Sequence, residues 1–179
     1  MATTLVSDRH TPVQEHLDHL NNDNEESVFL KCRFFGEYDM NVINTYRLPN
    51  TKFQRTPWHH LLRQLEKSDF LWTGDFNSRH AHWGSPDSSA ARRIFLDLAH
   101  THHLSLLNDV STPTRTGNSV QRDTNPDLAW GRTRKTPDWR NLGETFGSEH
   151  CILEITVPLL NRQSGPKGGY YSMATELTD

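Results

Sequence analysis

Short apolar runs and polar turns alternate along the middle of the chain, a pattern that predicts several β-strands. The run VFLKCRFF (28–35), the turn-like GEYD and the run MNVINTY (40–46) predict two strands joined as a hairpin. Further short strands are predicted at 70–72, in LSLLN (104–108), in DLAW (127–130) and in CILEITV (151–157). The strand at 70–72 ends abruptly at Gly74, so the segment GDFN lies where a buried strand emerges at a sheet edge.

Two segments have the spacing of amphipathic helices. Thr56 can cap the first helix and Pro57 suits its first turn. Its apolar residues, spaced i, i+3, i+4 and i+7, are Trp58, Leu61, Leu62 and Leu65. A second helix is predicted over 89–102, and its apolar residues are Ala91, Ile94, Phe95 and Leu98. Strands and helices in mixed order indicate a layered α/β or α+β fold.

Both ends of the chain are polar. Residues 1–27 are rich in His, Asp, Asn and Glu, and only Val13, Leu17 and Leu20 predict a short helix there. Beyond Pro158 the segment contains glycine and few apolar residues. We therefore expect a polar, poorly ordered leader at 1–27, one domain at 28–158 and a flexible polar tail at 159–179.

Composition limits the class of protein. With 179 residues, 34% hydrophobic and 23% charged, the chain fits one domain with loose ends. Cys32 and Cys151 cannot form a disulfide framework and lie in apolar runs, which favours a reducing, intracellular setting. No stretch approaches the ~18 consecutive apolar residues of a membrane span, and the start has no apolar core of a signal peptide.

The charge pattern bears on nucleic acid as a partner. The net charge of −3 argues against strong nonspecific binding to phosphates. Residues 113–142, however, carry six basic against three acidic side chains, interleaved with Trp130 and Trp139. This segment is typical of a phosphate-facing surface or of a solvated loop, and the pattern does not separate the two.

The candidate reactive side chains lie where predicted strands begin or end. Asp75 and Asn77 follow one strand, Asp127 starts another, and Glu149 and His150 come just before the last. Taken singly, each is accounted for as a turn, cap or structural residue. Together they predict one polar rim that gathers all five.

The histidines outside this group do not form a convincing metal site. His80 and His82, in HAHWG, could be two ligands of a zinc site, but no Cys or His at ligand spacing completes it. His100, His102 and His103 are interpreted as a helix end, where partial positive charge suits the helix dipole.

Several motifs occur in an order found in a known superfamily. They are NVINTYRLPN, FLWTGDFNSRHAHWG, LLND with TPTR, TNPDLAW and GSEHCILEI, within residues 26–158. This order resembles the exonuclease-endonuclease-phosphatase (DNase I-like) superfamily, and most closely the apurinic-type endonuclease domain of non-LTR retrotransposons. The resemblance implies an α+β fold: a four-layered α/β sandwich of two packed sheets flanked by helices, with the first sheet truncated.

The resemblance also implies a phosphodiesterase site that uses Mg²⁺ or Mn²⁺ to cut DNA inside the cell, with the nucleus as one location. Asp75 would hold or activate the attacking water beside Asn77, and Asp75 and Glu149 would bind the metal ion. His150, oriented by Asp127, would stabilise a phosphate oxygen. Tyr46 would offer its hydroxyl to the same phosphate. Oligomeric state is left open.

Two departures from the family pattern create alternatives. The family's Ser-Asp-His element is SEH here, so Glu149 carries its carboxylate one methylene further out. The family's Asn and metal-binding Glu motifs, which come roughly a hundred residues earlier, do not occur in 1–27, so we expect the first half of the domain to be missing. The hypotheses are therefore a metal-dependent endonuclease, a catalytically silent remnant that binds nucleic acid or a protein, and a plain α/β domain with coincidental motifs.

Overall fold

A computed structural model describes residues 2–5, 11–15, 20–34, 38–77, 90–120, 122–158 and 170–177. Within these ranges the chain forms ten strands and two helices. The strands are β1 (Ala2–Leu5), β2 (Thr11–Glu15), β3 (Glu25–Phe34), β4 (Tyr38–Arg47), β5 (Asp69–Asp75), β6 (Ser105–Leu106), β7 (Asp127–Arg132), β8 (Asp138–Asn141), β9 (Leu153–Pro158) and β10 (Tyr170–Leu177). The helices are α1 (Arg55–Gln64) and α2 (Ala90–Thr101).

The strands form two sheets. The larger has six strands in the order β2-β3-β4-β5-β7-β6, and the smaller has four in the order β1-β10-β9-β8. All neighbouring pairs are antiparallel except β4 and β5, which are parallel. A parallel pair needs a crossover connection, and α1 lies in that connection.

Both helices pack on one face of the six-stranded sheet. The shared core consists of Trp58, Leu61 and Leu62 from α1, Phe95, Leu98 and Ala99 from α2, and Phe29, Ile43, Phe70, Trp72, Leu128 and Trp130 from the sheet. The rings of Trp58 and Trp72 stack with centroids 4.2 Å apart. Each fully buried side chain of this size stabilises the fold by about 1.5–3 kcal/mol through removal from water.

The four-stranded sheet covers the opposite face of the larger sheet. The core between the sheets consists of Cys32, Met40, Val42, Leu71 and Ala129 on one side and Ile155 and Val157 on the other. The alternating residues of β8 and β9 that face away from this core are Asp138, Arg140, Glu154 and Thr156. This outer face is therefore polar in β8 and β9, and no helix covers it within the described ranges.

The sandwich architecture expected from the sequence is confirmed. The predicted hairpin is β3 and β4, and both predicted helices are present. The runs at 70–72 and 127–130 lie within β5 and β7, and the run at 151–157 overlaps β9. The hairpin belongs to the six-stranded sheet and does not form a short sheet of its own. Among the described residues, no helix is long and apolar enough to cross a membrane.

Several local predictions were wrong. Where a helix with Val13, Leu17 and Leu20 was expected, residues 11–15 form strand β2, and residues 16–19 lie outside the described ranges. Helix α1 begins at Arg55 with Gln54 as its N-cap and no side-chain cap, so Thr56 does not cap it. The strand expected at 104–108 is only Ser105–Leu106.

Strands also occur in segments expected to be polar leader and tail, because residues 2–5 and 170–177 form the pair β1 and β10. The domain boundaries at 1–27, 28–158 and 159–179 stay a prediction. The loop with His80, His82 and Trp83 lies outside the described residues, so its interpretation also stays a prediction.

Candidate active site

The candidate site lies at one end of the strands β4, β5 and β7. Asp75 is the last residue of β5, and the register places Tyr46 of β4 and Asp127 of β7 beside it. Leu71 and Ala129 face the four-stranded sheet. Because side chains alternate along a strand, Asp75 and Asp127 face the same side. The two carboxylates therefore lie at the rim of the space between the sheets.

Gly74 is required by the close approach of β4. Its φ is 137°, and a Cβ atom there would lie 1.9 Å from the carbonyl oxygen of Thr45. No residue with a side chain fits this backbone. The glycine of GDFN therefore lets β5 pair closely with β4 immediately before Asp75.

Asn77 fixes the carboxylate of Asp75 through a local turn. Its backbone N–H donates to Asp75 Oδ1 at 2.9 Å, and its Nδ2 donates to Asp75 Oδ2 at 2.8 Å. The same Nδ2 donates to the carbonyl oxygen of Arg47 at 2.8 Å. Asn77 has a φ of 44°, a left-handed conformation that Asn tolerates better than most residues. Both carboxylate oxygens of Asp75 thus have defined directions.

His150 contacts Asp127, as the sequence predicts. Its Nδ1 lies 2.9 Å from Oδ2 and 3.1 Å from Oδ1 of Asp127. Asp127 is almost fully buried, and its backbone N–H donates to the Thr114 hydroxyl at 3.2 Å. Asn108 Nδ2 donates to the Asp127 carbonyl oxygen at 3.0 Å. The backbone of the residue that orients the imidazole is therefore fixed at both its N–H and its carbonyl oxygen.

The three central groups influence one another electrostatically. Ligand atoms of Asp75, Asp127 and His150 all lie within 4.8 Å of one another. Burial, and next the charge of Asp127, raise the pKa of Asp75 to about 7. Burial opposes protonation of His150, but the hydrogen bond and charge of Asp127 outweigh it and raise the pKa of this imidazole. Both shifts favour the protonated form relative to an exposed group, and an Asp75 carboxylate with a pKa of about 7 is a stronger base than an ordinary one.

The donor set fits a hard divalent cation. Asp75 and Asp127 offer carboxylate oxygens, the ligand type that Mg²⁺ prefers, and both are buried. Two close carboxylates out of water repel each other, and a cation between them would favour ionisation of both. Thiols play no part in this cluster. Mg²⁺ or Mn²⁺ is thus compatible with the residues present.

Glu149 and Tyr46 are placed differently from the central cluster. The Glu149 carboxylate forms an ion pair with Arg115, with Nε to Oε2 at 3.0 Å, and its side chain is 48% exposed. It does not belong to the group of close ligand atoms found among the described residues. Tyr46 is half-buried and aligned with Asp75 in the sheet. Roles for Glu149 in metal binding and Tyr46 in phosphate binding stay predictions.

Two polar residues at the site carry no role in the sequence interpretation. Thr114, in TPTR, is fully buried against Asp127, and Asn108, in LLND, bonds both the Asp127 carbonyl and the Ala129 N–H. Both motifs contribute to the family resemblance only through their order along the chain. Their position in the motifs was the one signal that could have found them, because bonds between distant loops have no periodicity in sequence.

Comparisons with known proteins identify the family and the fold of the chain. The sequence model of a family described as endonuclease-reverse transcriptase matches residues 40–154, more than half of the 179 residues. A search of curated proteins found no match.

Among solved structures, the endonuclease domain of TRAS1, a telomere-specific non-LTR retrotransposon, is similar with a TM-score of 0.67 and 15% identity. That similarity covers 98% of this chain and 80% of the other. An endonuclease/exonuclease/phosphatase family protein from Bacteroides thetaiotaomicron is 12% identical with a TM-score of 0.48, covering 98% of this chain and 66% of that one. The motif order, the two-sheet sandwich and the family match agree, and the chain belongs to the endonuclease-reverse transcriptase family of the exonuclease-endonuclease-phosphatase superfamily.

Proposed function

We propose that this protein is a divalent-metal-dependent phosphodiester hydrolase of the retrotransposon type that cuts DNA inside the cell, nucleus included. The observation that supports it most is the cluster of Asp75, Asp127 and His150 at the rim between the sheets, in a chain of a nuclease family. An acid, an acid-oriented imidazole and a fixed amide are the groups that phosphodiester hydrolysis uses.

Asp75 is suited to accept a proton from the attacking water. A pKa raised to about 7 by burial and by Asp127 makes its carboxylate a stronger base than an exposed one. Asn77 bonds both oxygens of Asp75, so the base has one orientation toward the water. A bound Mg²⁺ or Mn²⁺ would act as a Lewis acid toward the phosphoryl oxygen, with Asp75 among its ligands.

His150 is suited to stabilise the charge that develops on the phosphate. Its Nδ1 is engaged by Asp127, which sets the ring orientation and favours the protonated form. The opposite ring nitrogen, Nε2, then donates toward a phosphate oxygen. Tyr46, aligned with Asp75, would offer its hydroxyl to the same phosphate.

Plasmid nicking tests this function. Wild type should convert supercoiled plasmid to the open circle with Mg²⁺ or Mn²⁺ and not with EDTA, and Asp75→Asn should abolish nicking because the water loses its base. Asp97→Asn, which changes an exposed carboxylate of α2 that pairs with Arg55 of α1, is the matched control and should nick like wild type. Nicking that persists in EDTA or in Asp75→Asn would refute the mechanism.

A silent nucleic-acid-binding remnant is the second candidate, and the placement of Glu149 favours it. This residue replaces the family's Asp in SEH and is paired with Arg115 outside the ligand cluster. If the chain is a weak enzyme, Glu149→Asp should raise metal-dependent nicking modestly by restoring the family geometry. Plasmid binding without nicking, by wild type and by Glu149→Asp alike, would support the remnant.

A further inference from the structure

We propose that Arg47, with Glu25 as its counter-charge, is a positioning residue that holds the GDFN segment (residues 74–77) in its working geometry. The inference rests on the proposed function where it concerns catalysis, whereas the positioning itself is a property of the fold. Arg47 follows Tyr46 directly in the chain, and because side chains alternate along a strand, its side chain lies on the face of the sheet opposite to that of Tyr46.

The guanidinium of Arg47 is buried, with 4% of the residue exposed. It lies over the ring of Phe53, with 5.0 Å from Cζ to the ring centroid. Its Nε is 3.9 Å from Oε2 of Glu25, the residue that faces it across the β3–β4 pair. A buried charge destabilises the fold unless it is paired and hydrogen-bonded, so the contacts of this guanidinium are structurally important.

Two backbone carbonyl oxygens accept hydrogen bonds from the Arg47 guanidinium. Nη1 donates to the Phe76 carbonyl oxygen at 3.4 Å, and Nη2 donates to the Thr51 carbonyl oxygen at 3.2 Å. Phe76 lies between the two site residues Asp75 and Asn77. The side chain therefore anchors the segment at the peptide between Phe76 and Asn77 and ties that peptide to the loop after β4.

The backbone of Arg47 holds the same segment from a second point. Its carbonyl oxygen accepts from Asn77 Nδ2 at 2.8 Å, and that nitrogen also donates to Asp75 Oδ2 at 2.8 Å. An amide nitrogen has two N–H groups, and both are used here. The Asn77 amide is thereby fixed, with its oxygen directed away from Asp75.

The left-handed backbone conformation of Asn77 depends on the hydrogen bonds that Arg47 makes to this segment. Its φ of 44° is uncommon for a residue with a side chain, and such conformations persist where the surroundings enforce them. Loss of the Arg47 guanidinium would release the Phe76 carbonyl and allow Asn77 to relax toward negative φ. The amide would then turn away from Asp75, and the base would lose its orientation.

The test uses the double variant Glu25→Gln/Arg47→Met, which removes both buried charges together and so avoids leaving one unpaired. Arg132→Met is the matched control. Arg132 also donates to two carbonyl groups, those of His102 and Leu65, at 2.7 and 2.6 Å, but at the far end of β7 from Asp127.

For the double variant we expect kcat of Mg²⁺-dependent nicking to fall about 10- to 100-fold, with KM within about twofold of wild type. Arg132→Met should retain the wild-type kcat even where it lowers the melting temperature. Arg47→Lys keeps the positive charge but lacks the planar fork of donors that reaches two carbonyl groups. Its kcat should therefore lie between those of the double variant and wild type.

Hydrogen exchange of the Asn77 side-chain amide, measured by NMR, provides a readout that needs no activity. We expect this exchange to become about tenfold faster or more in the double variant and to be unchanged in Arg132→Met. If wild type does not nick, the proposed function fails, and amide exchange alone decides the positioning role. Equal exchange rates of the Asn77 side-chain amide in the double variant and in Arg132→Met would overturn the inference.

Discussion

Thr114 supplies the hydroxyl that satisfies the buried backbone N–H of Asp127. It is fully buried, and its Oγ accepts from the Asp127 backbone N–H at 3.2 Å. We expect Thr114→Val to destabilise the protein by about 1–3 kcal/mol, because that N–H would be left buried without its partner. Thr114→Ser keeps the hydroxyl and should cost less. Urea unfolding of both variants is the measurement, and a Val variant as stable as the Ser variant would contradict it.

Asp75 should make folding stability fall as pH rises. Its folded pKa, raised by burial and by Asp127 to about 7, lies above the unfolded value near 4. The folded state therefore binds the extra proton, so the stabilisation is complete below about pH 4 and is lost as pH rises through about 7. The loss is at most about 1.4 kcal/mol per pH unit for one proton.

The Asp75→Asn variant isolates this effect, because its side chain does not ionise. In EDTA, the melting temperature of wild type should decline relative to the variant between about pH 4.5 and 7.5, and the difference should level off above that. Parallel curves for the two proteins would show that Asp75 ionises normally in the fold.

At this scale the sequence identified the members of the Asp75, Asp127 and His150 cluster better than the residues that hold them. Asp75, Asp127 and His150 were identifiable because each sits at a strand boundary in a recognisable motif. Thr114 and Arg47 act through bonds to backbone groups that are distant in sequence. Such bonds depend on tertiary placement and leave no periodic pattern.

Among the elements, the β4–β5 pair depends on a glycine at one position. A Cβ atom at Gly74 would lie 1.9 Å from the Thr45 carbonyl oxygen, at a φ of 137° that side chains rarely adopt. We expect Gly74→Ala to prevent stable folding or to separate the ends of β4 and β5. Gly131→Ala is the control, because its Cβ would meet the nearest atoms, side-chain methyl groups of Leu107 and Leu71, at 3.2–3.4 Å. Circular dichroism during thermal melting should show a far larger loss for Gly74→Ala than for Gly131→Ala.

The elements with strong local patterns were predicted, and the others were not. The β3–β4 hairpin and both helices have apolar spacing that identifies them without tertiary information. Strand β2, TPVQE, is polar and carries Pro12, which a sheet tolerates because β2 is an edge strand. Strand β1 pairs with β10, so that Ala2 is aligned with Leu177, and no local signal could reveal so distant a partner.

At the scale of the whole molecule, the fold brings two buried carboxylates together, and a divalent cation between them would relieve their repulsion. Asp75 and Asp127 are buried in adjacent strands, and the net charge of −3 offers no general compensation. A ligand that binds only the folded state stabilises it by RT ln(1 + [L]/Kd). Metal binding should therefore be visible as increased stability of the entire fold, independent of any DNA cleavage.

We expect Mg²⁺ to raise the melting temperature of wild type at pH 7.5. At ten times Kd the stabilisation is about 1.4 kcal/mol, which corresponds to about 3–6 °C for a chain of this size. Asp75→Asn should show no shift, because it loses one of the two clustered carboxylates, and Asp97→Asn should shift like wild type. NaCl at matched ionic strength controls for screening of surface charges. An equal shift in Asp75→Asn, or an equal effect of NaCl, would mean that the ion acts elsewhere, since only binding between Asp75 and Asp127 depends on that carboxylate.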